Sequence, residues 1–218
     1  MKLLAVSDQV IDFLHTPEIA IHYPDIDLIL SCGDLPLDYL EFIANTLDAP
    51  LYFVWGNHDT DNDGCIPPNC FCLDGDAVAL SFGAGKSNVT PFTLLLAGLG
   101  GSIRYKPTGK NQFTQKEMFL RALELVPRFL YNHKRFGRFL DILITHSPPL
   151  HIHDQQDPAH IGLKALVPIL DLFEPRYHLH GHTTAHGYDQ SGRTLQYRNT
   201  QVINVNPYRV IEFTCGEA

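Results

Sequence analysis

No apolar stretch in this sequence approaches the ~18 uninterrupted residues of a membrane span. The N-terminus has Lys2 but no signal-like apolar core, because Asp8 falls inside it, and no small-residue cleavage site. A membrane role is set aside and a cytoplasmic location is expected. Basic charge is also scarce. Sixteen Lys and Arg stand against 24 Asp and Glu, a formal net charge of -8. A general nucleic-acid binder needs a basic footprint, so long nucleic acid is a disfavoured partner. A phosphate substrate is not excluded, since bound cations reverse a local field. The five cysteines, an odd number, suggest no disulfide framework. Cys65, Cys70 and Cys72 cluster, but Cys-x4-Cys-x-Cys matches no usual zinc spacing. Small apolar residues in a loop and strand are the plain reading there, and a thiolate site or redox switch the sharper one. Repeats, low-complexity tracts and linkers are missing too. What remains is 218 residues, 44% hydrophobic and 18% charged, which suits one domain over 1–218 with a large core.

Apolar runs that predict strands fall near 2–7, 27–32, 50–55, 76–82, 92–99, 141–145, 177–180 and 200–213. Several are continuous rather than alternating, as in strands buried on both faces. Helical spacing predicts helices over 37–47, 114–133 and 162–173. The second opens on Thr114 with Glu117 three residues on, a capping-box pattern, and contains Pro127, which predicts a kink or split. Pro168 makes the third irregular. Strand–helix alternation in the first half predicts parallel pairing. The strand-rich stretch 76–101 and the C-terminal run predict a second, more antiparallel sheet.

Five of these apolar segments end in side chains able to bind metal. They lead into Asp8, Gly33-Asp34, Gly56-Asn57-His58-Asp59, Thr145-His146 and Gly181-His182. In open α/β sheets ligand sites gather at the carboxyl ends of strands, so segment reading and motif reading point to one place. The order resembles the calcineurin-like metallophosphoesterases, whose pattern is D-x-H, G-D, G-N-H-D or G-N-H-E, a lone histidine and G-H-x-H. The resemblance runs from the first strand to near the last. Two family histidines are replaced, one by Val10 and one by Thr184.

The resemblance implies an α/β fold of two mixed β-sheets packed face to face and flanked by helices. It implies hydrolysis of a small phosphate ester, mono- or diester, by attack of metal-bound hydroxide. It also implies one or two divalent metals per chain, manganese before magnesium, iron or zinc. Asp34 would bridge the metals, with Asn57, His146 and His182 completing the second site. Asp8 and Asp34 would hold the first without its two imidazoles, so a weak first site and a tight second one are expected. His186 is a substitute ligand if its turn is bulged; a surface histidine beside Gly187 is the plain alternative. Gln9, next to Val10, should point to the opposite face of an extended strand.

His58 would protonate the leaving oxygen, with Asp59 orienting its ring; histidine suits this because its pKa lies near neutrality. The plain alternative is a histidine that only satisfies the turn. His151 and His153, just after the His146 motif, are candidates for substrate contact, as is Arg104 for a substrate phosphate. A solvated surface arginine is the alternative for Arg104. His160 reads as structural at a helix start. The rival to an enzyme is a binding module on the same fold with one metal and little turnover, which Val10 and Thr184 favour and His58 opposes. Asp59-x-Asp61-x-Asp63-Gly64 starts like a calcium loop but reaches Cys70 where the closing glutamate belongs. Gly85-Lys86-Ser87 lacks the earlier glycine of a phosphate loop, having Leu80 there.

Overall fold

A computed structural model describes residues 1–59, 65–83, 90–184 and 190–213. His186 lies outside the described residues, as do Asp61 to Gly64 and Gly85 to Ser87. The first half runs β1 (Lys2–Val6), α1 (Ile19–His22), β2 (Leu28–Ser31), α2 (Leu37–Leu47), β3 (Leu51–Phe53) and β4 (Cys70–Cys72). The middle adds β5 (Ala77–Phe82), β6 (Phe92–Leu99), the short β7 (Ser102–Ile103) and β8 (Gln112–Phe113), α3 (Gln115–Phe136) and β9 (Ile142–Thr145). The chain then forms α4 (Leu166–Phe173), β10 (Tyr177–His180), β11 (Thr194–Tyr197), β12 (Thr200–Asn204) and β13 (Tyr208–Glu212).

Two large sheets result, ordered β13-β1-β2-β3-β4 and β11-β12-β10-β9-β6-β5, and β7 and β8 form a small parallel pair of their own. The first is parallel except at its β13 edge, which runs antiparallel to β1. The second was expected to be more antiparallel. Its β5–β6 and β11–β12 edge pairs are, but its centre, β6-β9-β10-β12, is parallel. The reason lies in the C-terminal run. It splits after Asn204, giving β12 to one sheet and β13 to the other.

Continuous apolar strands make sense in this layering. Along β1, Leu3 and Ala5 pack between the sheets, while Leu4 and Val6 pack under the helices. The inter-sheet layer also takes Leu28, Leu30, Leu94, Leu96, Ile142, Ile144 and Leu179. The outer face of the first sheet is covered by α1 and α2 through Ile19, Leu40 and Ile43. That of the second is covered by α3 and α4 through Met118, Leu125, Phe129, Leu166 and Leu170. Each such side chain contributes about 1.5–3 kcal/mol by leaving water, and both faces of each sheet are used.

Pro127 does not split α3. The proline is exposed, as is Leu123 four residues back, whose carbonyl the missing N–H frees; water can serve that carbonyl on this side. The capping box is present: Thr114 Oγ1 accepts from the Glu117 N–H at 3.2 Å and Glu117 accepts from the Thr114 N–H at 2.7 Å. Gly137, at φ 75°, closes the helix. Pro168 stands third in α4, in the first turn, where no helical partner is lost. Among the described residues no helix is long and apolar enough to cross a membrane.

Candidate metal centre

The strand ends at one edge of both sheets carry the five motifs. Asp8, Asp34 and His182 each follow a strand in left-handed backbone, at φ 64°, 58° and 64°. Such residues are uncommon there, with Asp and His among the more tolerant. The bend ends strand alternation and turns each side chain into the crevice. Close approach explains two motif glycines. A Cβ on Gly56 would overlap Asp34 Oδ1, and one on Gly181 would overlap Ser7 Oγ and the Asp8 carboxylate.

Hydrogen bonds fix which ring nitrogens are available. His146 Nδ1 lies 2.8 Å from the Cys32 carbonyl, which can only accept, so Nδ1 carries hydrogen. Its Nε2 faces Asn57 Oδ1 at 2.9 Å and Asp34 Oδ2 at 3.4 Å. His182 is arranged the other way round. Its Nε2 donates to the Ala159 carbonyl at 2.7 Å, leaving the Nδ1 lone pair. Donor atoms from Asp34, His146 and His182 lie within 4.8 Å of one another. Two imidazoles, a carboxylate and the Asn57 amide oxygen form a borderline-to-hard set that fits a divalent transition metal. Carbonyls hydrogen-bonded to the far ring nitrogen typically orient ligating histidines in this way.

Charge is arranged to match. Burial alone would lower the pKa of His146, but the hydrogen bond and charge of Asp34, with Asp8 behind it, outweigh burial and raise it to about 9. Burial, with the nearby His146, pushes His182 down to about 3. Asp34 is desolvated, yet His146 holds its carboxyl below the usual range. Burial raises that of Asp8. A cation at this point would replace the His146 proton with a stronger charge.

Asp8 stands outside the mutually close group. Both its oxygens accept from the His182 N–H, at 3.1 and 3.0 Å, so it braces the turn that carries His182. Val10 is 45% exposed and offers no donor. Thr184 is exposed, and its carbonyl accepts from Gln155. The groups around His146 and His182 are thus assembled, and the side that carries Val10 and Thr184 is open.

A cavity of about 360 Å³ lies over these groups, lined by Asp8, Asp34, Asn57, His58 and His182. A second hollow of about 250 Å³ shares Asp34 and His58 and is walled by Leu35, Pro36, Leu37 and Trp55. His58 is exposed where the two meet, with its N–H donating to Asp34 Oδ1 at 2.8 Å. The Trp55 ring stands edge-on to Phe53 at 4.9 Å.

Several expected roles change. Asp59 does not orient the His58 ring. Its Oδ2 accepts from the Asp34 N–H at 2.9 Å and the Gly56 N–H at 2.7 Å, so it ties the second motif to the third. Arg104 does not line the cavity; it pairs with Glu117 at 2.9 Å and binds the Gln112 carbonyl, beside the start of α3. His153 faces His180 at 2.9 Å, in an adjoining hollow with Asp154, Gln155 and Thr183 that shares Thr184 with the cavity. His151 is exposed outside the cavity. Cys65, Cys70 and Cys72 form no metal-competent group among the described residues.

Other residues reach the cavity unannounced. Tyr105 accepts from Asn57 Nδ2 at 3.1 Å, which turns Asn57 Oδ1 toward His146. His160 is not at a helix start; it sits in a turn, bonded through Nδ1 to Asp157 at 2.8 Å, its ring 4.9 Å from that of His182. Gln9 lines the cavity rather than turning away, bonded to Asn206 at 3.2 Å, because left-handed Asp8 breaks the strand before it. No motif marks Tyr105. His160 had only its nearness in sequence to His146.

Comparison with known proteins bears on the fold and the family. Among curated proteins none matches this sequence. A solved structure of TT1561 from Thermus thermophilus has TM-score 0.59 at 14% identity, over 94% of this chain and 88% of that one. Another solved structure has TM-score 0.62 at 14% identity, over 96% and 94%. At such identity these show a shared fold. The family model described as calcineurin-like phosphoesterase matches residues 4–185, and on that match the chain belongs to the calcineurin-like phosphoesterase family.

Proposed function

We propose that the protein, as one domain over 1–218, is a metal-dependent hydrolase of a small phosphate ester in the cytoplasm. The observation that carries this is the donor set of Asp34, His146 and His182, with the ring hydrogens held by carbonyls and Asn57 Oδ1 alongside. Asp34, Asn57, His146 and His182 would hold one divalent ion, manganese first. Asp8 and Asp34 would hold a second, weaker one with more water in its shell. When bound, such ions activate water and neutralise charge on the phosphate. The chain does the rest. Asp34, fixed by the His58 N–H and the Asp59 tie, keeps the ligand set in register. His58 stands at the mouth of the cavity, placed to hand a proton to the leaving oxygen. The Trp55 hollow lies on its other side, where a leaving group has room.

The test is turnover of bis-p-nitrophenyl phosphate by metal-stripped protein before and after Mn²⁺, with bound metal counted. Manganese-dependent release of nitrophenol that is lost in His58→Ala, with metal content unchanged, is the expected result. One tight metal and no turnover with any divalent ion would replace this reading by the second, a binding module. That alternative is favoured by Val10, Thr184 and the engagement of both Asp8 oxygens by a backbone N–H.

A further inference from the structure

His58 stands between two spaces of opposite character. The cavity over the candidate ligands is polar, with Gln9, Tyr105, His160 and Asn206 completing its walls. The hollow on the other side is not. Beyond Asp34, His58 and Asp59 it is lined by Leu35, Pro36, Leu37 and Trp55. Its two carboxylates are committed to the fold. Asp34 accepts from the His58 N–H and faces His146, while Asp59 accepts from the Asp34 and Gly56 N–H groups. Among the described residues no lysine or arginine lines this hollow.

The indole wall is held in place. The Trp55 ring stands edge-on to Phe53, which is buried, and the Trp55 carbonyl accepts from the Gly101 N–H at 2.7 Å. Opposite in sequence, Pro36 is exposed, and its carbonyl accepts from the Leu40 N–H at 3.1 Å in the first turn of α2. A wall fixed beforehand spends little ordering entropy when a guest arrives.

The guest follows from what the hollow lacks. A second phosphate would meet carboxylates and no cation. A sugar or polyol would leave water for walls that offer its hydroxyls few partners. A flat apolar ring gains by leaving water and can stack on the indole.

Resting on the reading of this site as a phosphate-ester hydrolase, we propose that the ester carries a flat aromatic ring on its leaving side. The ring sits in the Trp55 hollow while the phosphate lies over Asp34, and Trp55 selects it.

The test is calorimetric titration of benzylphosphonate and methylphosphonate into the Mn²⁺-loaded protein. The two differ by the ring, and a carbon stands in each where the ester oxygen would be. Benzylphosphonate should bind ~10-fold or more tightly, the least that an apolar pocket contact is worth. Two variants locate the ring. Trp55→Ala removes the indole. Pro36→Asp sets a carboxylate on the exposed wall and suits the start of α2, where Asp is a favoured cap. Each should bring the ratio of the two affinities toward one. Melting temperature checks folding, and Pro36→Asp decides if Trp55→Ala does not fold. Equal affinities in the wild type overturn this inference and leave the hydrolase reading standing. A ratio unchanged by the variants also overturns it, since the ring then lies elsewhere. A protein that takes neither phosphonate overturns the hydrolase reading and this inference with it.

Discussion

Tyr105 touches no expected ligand donor atom, yet it decides how one expected ligand faces. An asparagine amide is nearly symmetric in shape, and an acceptor at its nitrogen side decides which way it turns. With Tyr105 taking Asn57 Nδ2, the oxygen faces His146. Tyr105→Phe should lower metal affinity ~10-fold or more, as loss of an outer-shell partner does, with the melting temperature of the metal-free protein nearly unchanged. Calorimetric titration with Mn²⁺ reads this; equal affinities would show that Asn57 needs no such support. His58→Ala should cost ~10²–10⁴ in kcat, the usual worth of a general acid. At this scale the residues that a motif and its order name, and that the structure gathers in one place, are Asp34, Asn57, His58, His146 and His182. Tyr105 and His160 arrive by loop geometry that has no period or spacing to read. Asp59 was found but misassigned, because a carboxylate beside a histidine looks like its partner until the backbone amides around it are placed.

Elements explain why the motifs meet. The ends of β1 and β10 belong to different sheets and touch at Gly181, packed against Ser7 and Asp8. Gly181→Val should therefore drive apart the two halves of the site. Overpacking of this kind costs ~1–3 kcal/mol, and metal retention should fall with it; a variant that melts and binds like the wild type would mean the sheet ends can separate freely. The α3 cap gives a simpler case. Thr114→Ala should cost about 1 kcal/mol, read by urea denaturation. Strands with long apolar runs and the three amphipathic helices could be seen in the sequence because burial on one or both faces writes its period there. The two- to four-residue strands β4, β7, β8 and β11 could not, since their pairing is set by partners distant in sequence. The 200–213 run misled for a related reason: two strands bound for different sheets share one apolar composition.

For the molecule as a whole, the two histidines make opposite demands on pH. The folded pKa of His146 is raised to about 9, above its ordinary 6.5. Its contribution to stability is full below 6.5 and lost as pH rises through about 9. That of His182 is lowered to about 3, so the fold is penalised as pH falls below 6.5 toward 3. Metal-free protein should be most stable near pH 6.5 and lose melting temperature on both sides. Added Mn²⁺ should abolish the alkaline loss, since the cation takes the place of the His146 proton. A metal-free profile flat from pH 6.5 to 9 would mean that Asp34 does not hold that proton. The site also carries its own reporter. Trp55 is the sole tryptophan of the chain and walls the hollow shared by Asp34 and His58. Indole emission from this protein therefore comes from one address, and changes in its colour or intensity on titration would report entry of a ligand without any label.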